Sequence, residues 1–269
     1  MKVWKNTPTL DGFDDGLTFT QSKSKADIAL IGSKPIDLDQ MPNLKGIFRA
    51  GVGRDNVPKK EAERKGIVVR YPSDETINII FEETASFTCG LIFRMLYDNV
   101  GTLNPWMKEP RHQLSKKMLL VIGTGKIGSR VAQWMNPFMQ VTTFDILQNE
   151  SSELKLMMQQ ADCVTIHIPN NDENFSFIDV EKLSWMKSRA VLINTARGTI
   201  VDEDALYSKL QTSQLKSAFD VYWQEPYSGK LKEFYPEQFF MTPHVASTCS
   251  EFILGCREDF NQLIIELSN

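Results

Sequence analysis

Three polar side chains in the C-terminal half of the chain are of the types that anion binding and proton transfer require. Arg197, Glu225 and His244 each come soon after an apolar run. A guanidinium group can grip a carboxylate through two parallel hydrogen bonds, and an imidazole can give a proton to an oxygen atom and take it back. A carboxylate beside the imidazole favours its charged form. Together these residues suit the reduction of a carbonyl group next to a carboxylate, and the reverse oxidation.

A glycine-rich turn earlier in the chain suits a nucleotide cofactor. The pattern G-x-G-x-x-G lies between a predicted strand and a predicted helix, and the next predicted strand ends in an aspartate. The glycines allow a tight turn, close approach of a pyrophosphate and close packing of helix on strand, while the helix start offers free N–H groups. The aspartate would bind the adenosine ribose and repel a 2′-phosphate, which predicts NAD(H) over NADP(H). The predicted contacts are Gly123, Gly125, Lys126, Ile127, Gly128 and Asp145.

Short apolar runs alternate with longer amphipathic stretches, which is typical of an α/β fold with parallel sheets. The first third predicts strands at Ile28–Ile31, Gly46–Arg49 and Ile67–Arg70, then a helix at Asp74–Leu96. A second alternating series begins at Met118. Its predicted strands are Leu119–Ile122, Val141–Asp145, Cys163–His167, Val191–Thr195, Ser217–Val221 and Phe239–Thr242. This order suits a doubly wound dinucleotide-binding domain, in which ligands lie beyond the carboxyl ends of the strands.

The two series predict two doubly wound α/β domains, Rossmann-like or flavodoxin-like, with the active-site cleft between them. We expect residues 1–95 with 246–269 to form a discontinuous substrate domain, and residues 96–245 to form the NAD-binding Rossmann domain. The last predicted helix, Cys249–Leu267, would pack back on the N-terminal part. The segment Asn99–Lys117 contains glycine, prolines and charges, and predicts a connection. Closure of the cleft on substrate would exclude water.

The composition argues against several other classes of protein. The formal net charge of −4 gives no attraction to nucleic acid or to an anionic membrane. No apolar run reaches the roughly 20 residues that span a bilayer, and the start of the chain lacks the apolar core of a signal peptide. The 4 cysteines and 3 histidines are scattered, so we expect reduced thiols, no metal site and a cytoplasmic protein.

Further motifs carry a resemblance to a known family. They are RAGVGRDN at 49–56, EET at 82–84, ADCVTIHIP at 161–169, and NTARG at 194–198 followed by VDE at 201–203. With the residues described above, they make the chain resemble the D-isomer-specific 2-hydroxyacid dehydrogenase family, which includes phosphoglycerate, glycerate, glyoxylate/hydroxypyruvate and D-lactate enzymes. The resemblance runs from about Lys45 to Glu251. It implies a short, phosphoglycerate dehydrogenase-like form without the regulatory domain that some of these enzymes carry.

The resemblance also assigns roles to individual residues. The three residues named at the outset match the family's catalytic arginine, glutamate and histidine. Backbone N–H groups of Val52 and Gly53 would hold the substrate together with Arg197 and His244, and Asp220 would meet the nicotinamide carboxamide. The other implied cofactor contacts are Thr84, Ile168, Pro169 and Thr195. The family forms homodimers, so we expect a homodimer that acts on a small 2-oxo or 2-hydroxy acid with NAD.

Two alternatives stay open on the same scaffold. One is an NAD(H)-sensing binding protein of the transcriptional corepressor type. The other is an enzyme with a different reductant, such as formate or phosphite, and Glu225 argues against formate because that branch usually has glutamine beside its histidine. Arg70 is open as well: near the substrate it would favour an extra carboxylate or phosphate, and otherwise it is an exposed strand-end arginine. The sequence names neither the acid nor the physiological direction.

Overall fold

Strands and helices alternate along most of the chain in the computed structural model, which describes residues 1–97 and 100–268. The strands are β1 (Lys2–Lys5), β2 (Thr18–Phe19), β3 (Ile28–Ile31), β4 (Gly46–Arg49), β5 (Val68–Arg70), β6 (Gly101–Leu103), β7 (Trp106–Lys108), β8 (Met118–Ile122), β9 (Gln140–Phe144), β10 (Cys163–Ile166), β11 (Ala190–Asn194), β12 (Leu215–Phe219) and β13 (Phe239–Met241). The α-helices are α1 (Lys59–Arg64), α2 (Asp74–Leu96), α3 (Gly128–Met135), α4 (Ser151–Gln160), α5 (Val180–Trp185), α6 (Glu203–Gln211) and α7 (Ser250–Ser268). This alternation confirms the predicted α/β class.

Two compact units make up the chain: Met1–Glu83 with Ser247–Asn269 is the first unit, and Thr84–Ala246 is the second. The sequence-based domains, 1–95 with 246–269 and 96–245, follow the same discontinuous plan but divide the chain just before the end of α2. The two units divide inside α2 instead, at Thr84. Because a continuous helix shows no change of composition there, its sequence does not indicate where one unit ends.

A five-stranded parallel sheet forms the centre of the first unit, in the order β2-β1-β3-β4-β5. The order reverses at β1, as it does in doubly wound flavodoxin-like sheets. β3 is buried along its whole length, in keeping with its unbroken apolar run. The helix α7 packs on β4, where Phe260 meets Phe48 edge to face with 5.5 Å between ring centroids. The last helix thus returns to the N-terminal part of the chain.

A six-stranded parallel sheet forms the centre of the second unit, in the order β13-β12-β11-β10-β8-β9. The order reverses at β8, which pairs with β9 on one side and β10 on the other. Successive residues of β8 face opposite sides of the sheet: Leu120 and Ile122 join one buried apolar cluster, and Leu119 and Val121 join the other. Because both faces of this sheet are covered by apolar clusters, its central strands appear in the sequence as continuous apolar runs. In such a sheet, ligands bind beyond the carboxyl ends of the strands at the point of reversal.

An antiparallel hairpin, β6–β7, lies in the segment that was expected to be a plain connection. The predicted connection begins at Asn99, which lies outside the described residues. The strands β6 and β7 are largely exposed on both faces, so their sequence lacks the alternation of apolar and polar residues that predicts a strand. Within the described ranges, no helix combines the length and apolar character needed to cross a membrane.

Candidate active site

The turn between β8 and α3 is tight at two glycines and open at a third. A Cβ atom at Gly123, whose φ is +94°, would lie 2.5 Å from the carbonyl oxygen of His167, and one at Gly128 would overlap the carbonyl oxygen of Gly123. A Cβ at Gly125 would meet nothing within 4 Å. Backbone at Gly125 therefore borders open space at the start of α3, beside Lys126 and Ile127. This is the arrangement that a dinucleotide pyrophosphate requires, so the turn fits the predicted group.

Asp145 follows β9 and faces the same turn. Its Oδ2 atom accepts hydrogen bonds from the backbone N–H and the hydroxyl of Thr124, at 2.9 and 2.7 Å, and its Oδ1 atom accepts one from the N–H of Leu147 at 3.1 Å. These hydrogen bonds lower the pKa of Asp145; the N–H of Thr124 contributes most, then the hydroxyl of Thr124 and the N–H of Leu147. The carboxylate is therefore charged beside the glycine turn, where it can accept from ribose hydroxyls and repel a 2′-phosphate.

The predicted contacts Ile168 and Pro169 follow β10, directly after His167. The Nε2 atom of His167 lies 3.0 Å from the hydroxyl of Thr165. Burial lowers the pKa of His167 to about 3, which keeps the imidazole neutral. His167 is thus a half-buried, hydrogen-bonded residue whose backbone lies against Gly123, and not a proton donor.

Three threonines join the end of β11 to α2. The hydroxyl of Thr88 donates to the carbonyl oxygen of Thr84 at 2.7 Å and lies 2.9 Å from the hydroxyl of Thr195. All three side chains are buried. The structure therefore brings together two predicted cofactor residues, Thr84 and Thr195, through Thr88. Sequence reasoning missed Thr88 because nothing in a helix pattern marks a residue that bonds to a strand so far along the chain.

A buried asparagine shapes the loop that carries Arg197. The side chain of Asn194 donates to the carbonyl oxygen of Arg197 at 2.8 Å and accepts from the N–H of Ala196 at 3.0 Å. The next residue, Gly198, has no room for a side chain, because a Cβ there would overlap the backbone of Tyr222. The loop after β11 is thus pressed against the loop after β12. The Arg197 guanidinium donates to the carbonyl oxygen of Ala196 at 2.8 Å, and its charge acts on Glu225.

Glu225 and His244 form a hydrogen-bonded pair. The Nδ1 atom of His244 lies 2.8 Å from Oε2 and 3.0 Å from Oε1 of Glu225, and Oε1 also accepts from the N–H of Tyr222 at 3.2 Å. Burial alone would raise the pKa of Glu225, but the hydrogen bond and charge of His244, the Tyr222 N–H and the charge of Arg197 outweigh it. The pKa of Glu225 therefore lies below its usual value.

Asp220 braces the loop that carries His244. Its carboxylate is fully buried and accepts from the Thr242 hydroxyl at 2.6 Å and from the N–H groups of Val245 and Ala246, both at 2.9 Å. Burial raises the pKa of Asp220, and these hydrogen bonds only partly offset the rise. His244 has a φ of +56°, a conformation that needs such support. The predicted contact of Asp220 with the nicotinamide stays a prediction. Its hydrogen bonds to the loop that carries His244 were not predicted from the sequence.

The first unit carries the other predicted substrate residues. Val52 and Gly53 lie in the turn after β4 and are half-buried. Arg70, at the end of β5, donates from Nε and Nη2 to the two carboxylate oxygens of Glu266 on α7, at 3.1 and 2.5 Å. Of the two interpretations of Arg70, the geometry favours the exposed strand-end arginine. Residues 1–97 and 100–268 contain no group of three or more His, Cys, Asp or Glu side chains placed to hold a metal ion.

Taken together, the reversed parallel sheet, the glycine turn and the acid–base pair define a dinucleotide-binding α/β protein. The family model "D-isomer specific 2-hydroxyacid dehydrogenase, NAD binding domain" matches residues 97–246. The chain therefore belongs to the D-isomer-specific 2-hydroxyacid dehydrogenase family, as the motifs predicted. It is an NAD-dependent oxidoreductase in class, and NAD is its cofactor.

Individual relatives agree with this family. The chain is 34% identical over 229 residues to D-3-phosphoglycerate dehydrogenase of Synechocystis sp., which covers 77% of this chain but only 40% of that enzyme. It is 32% identical over 247 residues to glycerate dehydrogenase of Methylorubrum extorquens, covering 84% of this chain and 77% of that enzyme. Its fold is similar to that of D-lactate dehydrogenase from Aquifex aeolicus, solved with NAD and lactic acid, with a TM-score of 0.80 and 25% identity over 100% of this chain and 95% of that one.

Proposed function

We propose that the chain interconverts a small 2-oxo acid and its D-2-hydroxy acid. The observation that supports this most strongly is the His244–Glu225 pair, 2.8 Å between Nδ1 and Oε2, on the same sheet edge as Arg197. NAD, when bound, supplies or accepts the hydride. Arg197 and His244 provide the other requirements of the reaction, which are a carboxylate clamp and a proton donor.

His244 is the proton carrier in this proposal. Its Nδ1 atom is held by Glu225, and its Nε2 atom has no hydrogen-bond partner in the part of the chain that the structure describes. Nε2 is thus available to give a proton to the carbonyl oxygen of the substrate and to remove it in the reverse reaction. Glu225 stabilises the imidazolium and holds the ring orientation, which is the usual arrangement of a catalytic histidine.

Arg197 is the carboxylate clamp. A bidentate guanidinium–carboxylate contact would orient the substrate and draw electron density from the neighbouring carbonyl. The N–H groups of Val52 and Gly53 are assigned to the same carboxylate on the resemblance alone. The cofactor would be held by the turn Gly123–Gly128 and by Asp145, with Thr84, Thr195, Ile168, Pro169 and Asp220 as further predicted contacts.

The competing interpretation, an NAD(H)-sensing corepressor-type protein, has less support. The relatives named above are dehydrogenases, and the three residues that we propose for turnover lie in the loops after β11, β12 and β13, which are neighbouring strands of one sheet. A binding protein has no need of an acid–base pair with a free Nε2 atom. A cytoplasmic location also stays a prediction, in keeping with the four unpaired cysteines.

The proposal is tested by following NADH oxidation by absorbance with glyoxylate, hydroxypyruvate, pyruvate, phosphohydroxypyruvate and 2-oxoglutarate. We expect saturable turnover with at least one acid, and a higher kcat/KM with NADH than with NADPH because of the charged Asp145. Tight NADH binding without turnover of any acid would count against the dehydrogenase and for the cofactor-sensing protein.

Replacing Glu225 by glutamine is expected to move the pH dependence of the reduction. Although burial opposes it, the hydrogen bond and the charge of His244 lower the pKa of Glu225, so its carboxylate stays charged to a lower pH than an ordinary glutamate does. The contribution of the charged carboxylate is present above that lowered pKa and is lost as the pH falls through it. In Glu225→Gln, kcat/KM for reduction should therefore be lower than in the unmodified chain, and the acid limb that Glu225 contributes should be absent. Glu237→Gln, at an exposed site, is the control, and an acid limb that is unchanged in Glu225→Gln would refute the pairing role.

We also propose that the chain forms a homodimer through the β6–β7 hairpin. Leu103 and Trp106 are 81% and 78% exposed, and Met107 lies beside them. Exposed aromatic and apolar clusters of this kind mark protein interfaces, and identical chains most often pair by a two-fold axis. Sedimentation should give 61.4 kDa (2 × 30.7 kDa), falling to 30.7 kDa in a Leu103→Ser/Trp106→Ser variant. Ile265→Ser, exposed on α7, should stay dimeric, and a monomeric unmodified chain would end this proposal.

A further inference from the structure

One buried tyrosine contacts both loops that carry the acid–base pair. Tyr222 lies just after β12, which ends at Phe219, and is only 9% exposed. Its backbone N–H donates to Oε1 of Glu225 at 3.2 Å, and its hydroxyl donates to the carbonyl oxygen of Thr242 at 2.9 Å. That same oxygen accepts the backbone N–H of His244 at 3.0 Å. Tyr222 is thus bonded to Glu225 directly and to His244 through a single carbonyl oxygen.

The hydroxyl of Tyr222 is a fixed donor. It also lies 2.8 Å from the carbonyl oxygen of Phe219, so its single hydrogen is shared between two acceptors. Burial raises the pKa of Tyr222, and the charge of Asp220 adds to the rise, so the phenol stays protonated. The ring stacks on that of Tyr227, with 5.0 Å between the centroids and 22° between the planes. The hydroxyl of Tyr227 donates to Oε1 of Glu203 at 2.6 Å, so both rings are held by hydrogen bonds as well as by stacking.

The pair of His244 and Glu225 depends on such support for its geometry. The two side chains are 32% and 25% exposed, so water competes for the hydrogen bond between them. Ion pairs that stay in contact with solvent add little stability of their own, so this pair does not by itself hold two loops in place. The backbone of His244, with a φ of +56°, is held on its C-terminal side by the carboxylate of Asp220. Tyr222 holds it on its N-terminal side.

We propose that Tyr222 is a positioning residue for proton transfer at His244. Its hydroxyl fixes the point at which the chain leaves β13 and turns into His244, and its N–H fixes the carboxylate that the imidazole faces. The imidazole then presents Nε2 in one direction, which matters because a misplacement of about 1 Å can cost about 10²-fold in rate. The inference rests on the proposed function, in which His244 is the proton carrier. All the residues that carry it belong to the second unit.

The kinetic test compares two variants that each lose one stacked phenol hydroxyl. Tyr222→Phe keeps the ring and the backbone N–H but loses the hydroxyl bond to Thr242, and Tyr227→Phe, the matched control, loses the bond to Glu203 on α6. The NADH-loaded chain is mixed rapidly with the best acid from the panel. In Tyr222→Phe the maximal rate constant should fall about 10-fold, while the acid concentration for half-maximal rate stays within about twofold because Arg197 is unaltered. Both quantities should stay within about twofold in Tyr227→Phe.

A spectroscopic measurement decides the inference without turnover. Because an ionised carboxylate only accepts, the hydrogen on Nδ1 of His244 lies in the bond to Glu225. In the full chain with isotopically labelled histidine, it should give a nuclear magnetic resonance signal far downfield, identified by its absence in His244→Asn. Exchange of that hydrogen with water should be at least about 10-fold faster in Tyr222→Phe and unchanged in Tyr227→Phe.

The outcomes separate this inference from the proposed function. If no acid is turned over, the proposed function fails, and the exchange rates still decide the role of Tyr222. A Tyr222→Phe variant that matches the Tyr227→Phe control in either measurement would overturn the inference and leave the proposed function standing. An unmodified chain without the downfield signal would lack the bond between His244 and Glu225, and would overturn the inference as well.

Discussion

Replacing His244 by asparagine is expected to lower kcat for the reduction of a 2-oxo acid by about 10²- to 10⁴-fold, the usual contribution of a general acid. Asparagine is the sharpest replacement because the backbone of His244 has a φ of +56°, and asparagine tolerates that region better than most residues. The Asp220 hydrogen bonds to Val245 and Ala246 should therefore keep the loop in place. Only the imidazole ring, the proposed proton donor, is lost.

NADH affinity separates this effect from damage to the cofactor site. The glycine turn and Asp145 lie at the other end of the sheet order from the β13 loop, so fluorescence titration of NADH should give the same Kd within about twofold. His112→Asn, at an exposed histidine, is the matched control and should keep full activity. Turnover in His244→Asn within tenfold of the unmodified chain would exclude His244 as the proton carrier.

Replacing Arg197 by lysine is expected to lower kcat/KM by about 10²-fold, and replacement by alanine by about 10³-fold or more. Lysine keeps the charge but loses the planar fork that contacts both oxygens of a carboxylate, so the difference between the variants separates charge from geometry. The Asn194 hydrogen bonds go to the backbone of Arg197 and Ala196, which means that neither substitution removes them. The loop should keep its shape, as judged from an unchanged thermal midpoint.

Chemical rescue makes the role of Arg197 specific. Guanidinium ion added to Arg197→Ala should restore part of kcat/KM, because the vacated position borders the substrate carboxylate. The same ion should do nothing for His244→Asn. Two results would show that the substrate carboxylate is bound elsewhere. They are an unchanged kcat/KM in Arg197→Lys, and an Arg197→Ala variant whose activity guanidinium ion does not restore.

Local patterns predicted much of the second unit because its rules act over short distances. Part of the glycine spacing before α3 follows from backbone crowding within one turn, because a Cβ atom at Gly128 would overlap the carbonyl oxygen of Gly123. The predicted strand Val191–Thr195 is shifted by one residue from β11, Ala190–Asn194. Just beyond the end of β11, the N–H of Ala196 donates to the side chain of Asn194. A hydrophobic pattern cannot show where a side chain replaces a backbone partner.

Features that depend on distant pairs were not predictable. Arg70 and Glu266 are 196 positions apart in the sequence, and Thr88 and Thr195 are 107 apart. The brace from Asp220 to the His244 loop spans neighbouring strand ends and leaves no periodic signal. The β6–β7 hairpin lacks a buried face, so its strands carry no alternation. In each case the deciding contact exists only after the sheet has formed.

A single-turnover reaction tests the central claim most directly. The chain loaded with NADH is mixed with a limiting amount of the best substrate from the panel, and NADH absorbance is followed while the product is resolved by chiral chromatography. We predict that one 2-hydroxy acid forms for each NADH consumed, in the D configuration wherever the product is chiral. An L product, or NADH loss without hydroxy acid, would contradict it.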